Sequence, residues 1–166
     1  MVFYFFEIIN IIVTVLVVGL IFSRSFDQKE ITLWMKIAGL SIILHELAHK
    51  FVAISMGYYA IYEVSITGLL IGLFFRLIES PIVLFIPGYV RIIGDTTPLS
   101  LSAIAIAGPL TNLLLYFLGK ILYQKNGKDC YYFLSYLNLW LFILNMLPVP
   151  PLDGFKFLYG MYKLLF

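Results

Sequence analysis

The segment HELAH, residues 45–49, has the residue types and the spacing of a catalytic metal site. His45 and His49 are four residues apart, so on a helix both imidazoles face the same side and can bind one Zn²⁺. Glu46 lies one residue along and can reach a metal-bound water. The chain contains 2 histidines, and both are in this segment. The pattern H-E-x-x-H therefore predicts a zinc centre at His45 and His49.

A catalytic zinc ion normally has three protein ligands and one water. The chain has no further histidine and a single cysteine, so the third ligand should be a carboxylate. Asp153 is favoured because it follows three prolines that end an apolar run early, and such a break is tolerated in a membrane where it lines a protein cavity. The alternative is a plain proline-rich helix exit with a turn at Asp153-Gly154. The candidate carboxylates are Glu7, Glu63, Glu79, Asp95, Asp129 and Asp153.

The composition indicates that lipid surrounds most of this protein. Of 166 residues, 62% are hydrophobic and 12% are charged, whereas average soluble domains have about 25% charged residues. This excludes a soluble globular protein and a disordered one. A net charge of +2 is too small to indicate nucleic-acid binding. Cys130 has no second cysteine with which to form an internal disulfide. We therefore predict an α-helical integral membrane protein.

Four apolar runs are long enough to be predicted as transmembrane helices. The second contains HELAH, and ionisable side chains inside a span mark function by default. Pro109 is expected to kink the third. Residues 155–166 are too short to cross and carry Lys156 and Lys163 on one face, which predicts a short interfacial helix. Residues 1–166 are thus expected to form a single transmembrane domain, with spans at about 2–22, 31–56, 100–123 and 131–147.

Between the second and third spans, residues 58–93 predict a small membrane-associated β region. Apolar and polar residues alternate over residues 62–67, which is the period of a strand. The alternative for residues 69–78 is a short buried helix. Glycine and proline interrupt the region too often for one lipid-facing helix to cross the bilayer.

A hairpin is predicted within this β region. Residues 82–86 and residues 89–93 are apolar runs on either side of Pro87-Gly88, and that dipeptide is typical of a turn.

Three motifs occur in order along the chain and together resemble those of the site-2 protease family of intramembrane zinc metalloproteases, which is peptidase M50-like. They are HELAH at 45–49, AGPLTN at 107–112 and NMLPVPPLDG at 145–154. The family shows H-E-x-x-H, A-G-P-x-x-N and N-x-x-P-x-P-x-x-D-G. The sequence shows no PDZ domain or other regulatory module, so the chain resembles a near-minimal version of the family.

The resemblance implies one zinc ion per chain, held by His45, His49 and Asp153, with Glu46 as the catalytic acid and base. It also implies that Asn145 assists catalysis by binding substrate or the oxyanion. Further substrate-binding residues implied by the resemblance are Asn112, Pro87, Gly88 and Tyr89.

The same resemblance implies intramembrane proteolysis, the hydrolysis of peptide bonds within or near transmembrane segments. The expected partners are the lipid bilayer and a membrane-protein substrate with a transmembrane helix. The protein is expected to be a multi-pass protein of a prokaryotic cell membrane.

Two other functions would use the same residues. A metal-binding membrane sensor or transporter needs the ligands but does not need Glu46, so its function should survive Glu46→Gln. A catalytically inactive homologue would keep the fold and lack hydrolysis, and the complete set of ligands argues against it.

Overall fold

The computed structural model describes residues 3–81, 83 and 85–166. The chain divides into two compact units, one formed by the described residues up to Ile43 together with Ile61–Arg91, and the other by Leu44–Ala60 together with Ile92–Phe166. The elements in chain order are α1 (Phe5–Phe22), α2 (Gln28–Ser55), β1 (Tyr59–Val64), α3 (Ile66–Leu77), β2 (Gly88–Ile93), α4 (Pro98–Asn126), α5 (Asp129–Asn145) and α6 (Asp153–Leu165).

Three of the described helices, α1, α2 and α4, are long and apolar enough to cross a membrane. They coincide with the first three predicted spans, which confirms long apolar helices there. The fourth predicted span, residues 131–147, forms α5, which has 17 residues. At 1.5 Å per residue, α5 is about 26 Å long, somewhat less than the roughly 30 Å of a hydrocarbon core. A fourth crossing therefore stays a prediction.

Residues that favour helix ends determine where α2 and α4 begin and where α4 ends. Asp27 caps α2, because its side chain accepts a hydrogen bond from the backbone N–H of Glu30 at 3.3 Å. Thr97 caps α4 in the same way through Ser100, at 3.2 Å, and Pro98 occupies the first helical position. Gly127 ends α4 with a positive φ of 63°, a conformation that glycine adopts readily.

In the first unit, small residues allow α1 and α2 to pack closely. Gly19 of α1 faces Met35, and Gly39 of α2 faces Val15, where an added Cβ would lie 3.1 Å from the Val15 Cα. Such glycines are typical of helix contacts inside membranes. Met35–Gly39 forms a single π-helical segment within α2.

The β region consists of a two-stranded sheet, β1 and β2, with helix α3 between the strands along the chain. The predicted strand at residues 62–67 ends at Val64, because the Ser65 hydroxyl accepts a hydrogen bond from Gly68 N at 3.0 Å and caps α3. The alternative helix at residues 69–78 is thereby confirmed, beginning at Ile66. The alternation of apolar and polar residues continues into α3, because Ile66 and Thr67 fit the pattern of a strand as well as that of a helix.

The predicted hairpin at Pro87-Gly88 is wrong for the described residues. Strand β2 begins at Gly88 and pairs with β1, and Ser65 N donates to the Pro87 carbonyl at 2.9 Å. Val83, Phe85 and Ile86 lie outside any strand, while Ile82 and Leu84 are outside the described residues. A proline-glycine pair indicates a change of chain direction but does not specify which strand pairs with which. Here β2 pairs with β1, which is more distant along the chain.

In the second unit, α4 packs against α5 and α6. Gly119 of α4 faces Ser135, and Gly160 of α6 faces Ser102. The helix predicted at residues 155–166 is confirmed as α6, which begins two residues earlier, at Asp153. Its position at a membrane interface stays a prediction.

Candidate metal centre

His45, His49 and Asp153 come together in the second unit, and all three are buried. The two histidines lie one turn apart on α2, with 3.0 Å between their Nε2 atoms. The Oδ2 atom of Asp153, the first residue of α6, lies 3.1 Å from each Nε2. Of the six candidate carboxylates, Asp153 is the one that the described structure groups with both histidines.

These distances fit a tetrahedral metal site. Zinc binds nitrogen and oxygen ligands at about 2.0–2.1 Å, so two ligands of a tetrahedral ion are about 3.3 Å apart. The three separations of 3.0–3.1 Å are close to that value. Two imidazoles and one carboxylate are also a ligand set that zinc uses in proteolytic enzymes.

The ring of His49 is oriented by a backbone carbonyl. Its Nδ1 donates to the Ile104 carbonyl of α4 at 2.7 Å. A carbonyl can only accept, so Nδ1 carries the ring proton and Nε2 keeps a lone pair. This lone pair faces His45 and Asp153.

The ring of His45 is oriented by Asn112 of α4, at 2.5 Å between Nδ1 and Oδ1. With Nδ1 as donor, Nε2 of this ring also keeps a lone pair. Three electron-rich atoms, two Nε2 and the Oδ2 of Asp153, thus converge within 3.1 Å. They repel one another unless positive charge lies among them, which is the electrostatic reason that the site suits a divalent cation.

A lysine favours the ionised form of Asp153. The second carboxylate oxygen, Oδ1, accepts from Lys156 Nζ at 3.3 Å. A nearby positive charge stabilises a carboxylate. A metal ligand must be deprotonated, so this contact prepares Asp153 for that role.

Two glycines of the motifs are required by close approach. A Cβ at Gly108 would overlap Nε2 of His49 and lie 2.6 Å from Nε2 of His45. A Cβ at Gly154 would overlap the Met146 carbonyl and lie 2.8 Å from the Leu147 oxygen. Sequence reasoning missed both roles, although a glycine inside a long apolar helix was a signal that could have indicated Gly108.

The structure also locates the other predicted site residues. Glu46 follows His45 on α2 and is partly exposed. Asn112 is buried, and its side chain contacts His45. Asn145, the last residue of α5, is half-buried and its Nδ2 donates to the Leu141 carbonyl at 2.9 Å.

The three residues predicted for a substrate loop belong to the first unit. Pro87 and Gly88 are buried at the start of β2, and Tyr89 is exposed. The Tyr89 hydroxyl donates to Glu63 at 3.0 Å, and this contact raises the pKa of that hydroxyl. Their role in substrate binding stays a prediction.

Two known proteins are similar to this chain, although no protein-family model matches it. The chain is 36% identical to "Putative zinc metalloprotease MJ0611" of Methanocaldococcus jannaschii, over 92% of this chain and 83% of that protein. It is 37% identical to "Putative zinc metalloprotease YwhC" of Bacillus subtilis, over 32% of this chain and 31% of that protein. Together with the buried cluster of metal-ligating side chains, the first similarity, which extends over most of both proteins, places the chain in the zinc metalloprotease family of these relatives.

Proposed function

We propose that this protein is an intramembrane zinc metalloprotease of the site-2 protease type, a multi-pass membrane protein with α5 as its fourth span. The observation that carries the proposal is that two residues of the buried cluster, His45 and His49, lie on α2, a 28-residue helix apolar enough to cross a membrane. His49 lies six residues before the end of α2 at Ser55, which is about 9 Å along a helix. With the Ser55 end of α2 at the membrane surface, a metal centre at that depth would lie inside the membrane, where membrane-spanning substrates are found.

His45, His49 and Asp153 would hold the zinc ion, which supplies Lewis acidity that lowers the pKa of water and polarises a scissile carbonyl. Glu46 acts as the general base at its carboxylate oxygens. It takes one proton from the attacking water as the oxygen bonds to the carbonyl carbon, and it delivers that proton to the amide nitrogen as the C–N bond breaks. The products are a carboxylic acid and an amine, and the proton of the acid then passes to the amine, which gives a carboxylate and an ammonium group.

Asn145 is proposed to donate a hydrogen bond to the oxyanion. Its amide has two N–H groups, and the bond to Leu141 uses one of them. A positioned donor stabilises developing negative charge strongly where water is scarce.

A substrate helix must unwind before attack, because its carbonyls are already hydrogen-bonded. We propose that the unwound segment adds as a strand to the outer edge of β2, next to Tyr89. Contacts with α1 support this choice of edge, because side chains of α1 already hydrogen-bond to the backbone of β1 at Tyr62. The Tyr62 N–H donates to Glu7 at 2.7 Å, and the Tyr62 carbonyl accepts from Asn10 at 3.5 Å.

Mapping the cleavage site tests the proposal. The full chain is reconstituted in liposomes with a single-span test substrate, and the fragments are sized by mass spectrometry. Cuts within or near the span are expected, and they should disappear in Glu46→Gln. Cuts confined to the soluble tails of the substrate would contradict an intramembrane protease.

A further inference from the structure

A line of buried side-chain amides continues from His45 into α5. Asn112 of α4 contacts His45 through Oδ1, and its Nδ2 donates to the Oδ1 of Asn138 at 2.9 Å. The Nδ2 of Asn138 donates to the Leu134 carbonyl at 2.9 Å. Both asparagines are fully buried, in helices that are otherwise largely apolar. Buried polar side chains in such helices are costly and call for a function.

The Leu134 carbonyl, at the end of this line, determines which atom donates and which accepts in every hydrogen bond of the line. The Leu134 carbonyl can only accept, so Asn138 turns Nδ2 toward it and Oδ1 toward Asn112. That oxygen can only accept, so Asn112 presents Nδ2 to Asn138 and Oδ1 to His45. The Nδ1 of His45 must then carry the ring proton, and its Nε2 keeps the lone pair that faces Asp153.

The two histidines thus reach the same tautomer by different means. His49 faces a backbone carbonyl, that of Ile104, whose direction is fixed. His45 faces an amide side chain, which can rotate by half a turn and offer a donor in place of an acceptor. Asn112 therefore needs a second residue to fix its direction, and Asn138 is placed to do so.

We propose that Asn138 is a positioning residue that acts through Asn112 to keep the Nε2 of His45 free for zinc. Without the acceptor at residue 138, the amide of Asn112 can turn its Nδ2 toward His45. The Nδ1 of His45 must then accept, so the ring proton moves to Nε2, which can no longer bind metal. The proposal rests on the proposed function in so far as zinc is the metal.

The packing of α4 and α5 supports this role. Asn112 and Gly119 lie seven residues apart on one face of α4, and Ser135 and Asn138 lie three apart on one face of α5. Gly119 faces Ser135, where an added Cβ would lie 2.7 Å from the Ser135 backbone nitrogen. This close approach brings the two asparagines within hydrogen-bond distance.

Zinc affinity of the full chain in detergent, measured by competition with a fluorescent zinc chelator, tests the inference. Asn112→Ala should weaken zinc binding by about 10–100-fold, as removal of such supporting residues typically does. Asn138→Ala should weaken it by about tenfold. Because both act along one line, Asn112→Ala combined with Asn138→Ala should bind no more weakly than Asn112→Ala alone.

Asn138→Asp is the conservative variant, since a carboxyl oxygen still accepts from Asn112. Its zinc affinity should lie closer to wild type than to Asn138→Ala. If the alanine variant does not fold, Asn138→Leu takes its place, because leucine and aspartate are both close to asparagine in size. Equal affinity of the aspartate and apolar variants would overturn the inference.

Asn145→Ala is the matched control. It removes the same kind of bond, from Nδ2 to the carbonyl four residues earlier, on the same helix. Its zinc affinity should match wild type. Unchanged affinity in Asn138→Ala, or additive losses in the double variant, would overturn the role of Asn138. A wild type that binds zinc and cuts no substrate contradicts the proposed protease and leaves this comparison intact.

Discussion

Gly108 lies directly against His45: a Cβ on Gly108 would be 2.6 Å from the Nε2 atom of that histidine. Ordinary carbon contacts are about 3.5–4.0 Å, so even a methyl group does not fit. Glycine at this position is therefore part of the metal centre, although it offers no ligand.

Gly108→Ala should displace the two imidazoles and weaken zinc binding by at least about tenfold, comparable to the loss of a supporting residue. Zinc titration of the purified variant measures the change. Gly19→Ala is the control, because Gly19 is also crowded within an apolar helix but faces Met35 in the first unit. Wild-type zinc affinity in Gly108→Ala would show that the rings can move aside.

His45→Ala, His49→Ala and Asp153→Ala should each remove most of the bound zinc. Two remaining ligands provide neither the geometry nor the charge that the ion needs. Metal analysis of the purified variants measures zinc per chain. Full occupancy in Asp153→Ala would mean that another carboxylate, such as Glu63, Glu79 or Asp95, is the third ligand.

Glu7→Ala should destabilise the first unit and leave zinc content unchanged. The buried Glu7 carboxylate accepts from Tyr62 N at 2.7 Å and from Tyr4 N at 2.8 Å. A buried donor left without its acceptor costs about 1–3 kcal/mol, which should lower the midpoint of thermal unfolding in detergent. Asp95→Ala, at an exposed carboxylate, is the control. An unchanged midpoint in Glu7→Ala would mean that water replaces the carboxylate.

Spacing in the sequence was sufficient to predict the pair His45 and His49, because four residues on a helix bring two side chains to one face. Spacing could not choose among six carboxylates for the third ligand. Asp153 lies 104 residues beyond His49, and only tertiary packing brings them together. Asp153 was therefore favoured on other grounds, namely the prolines that precede it and the resemblance to the family.

The fold was predictable where patterns are local and long. The first three spans follow from apolar length alone, whereas the hairpin at Pro87-Gly88 was wrong because pairing between distant strands decides register. The contact between Asn112 and Asn138 depends on how α4 and α5 face each other. No local pattern encodes that geometry.

Asn145→Ala should keep its zinc and lose cleavage activity. Loss of one oxyanion donor typically lowers the rate by about 10²–10³-fold. Zinc content and single-turnover cleavage are measured on the same preparation. Unchanged cleavage, or loss of zinc and fold together, would favour a structural role at the end of α5.

The most direct test of the account is cleavage by Glu46→Gln, with zinc measured on the same sample. Glutamine matches glutamate in shape but cannot accept the proton from water. The account predicts a folded variant with wild-type zinc content and no hydrolysis of a membrane-spanning substrate. Cleavage by that variant at a rate near wild type would contradict it.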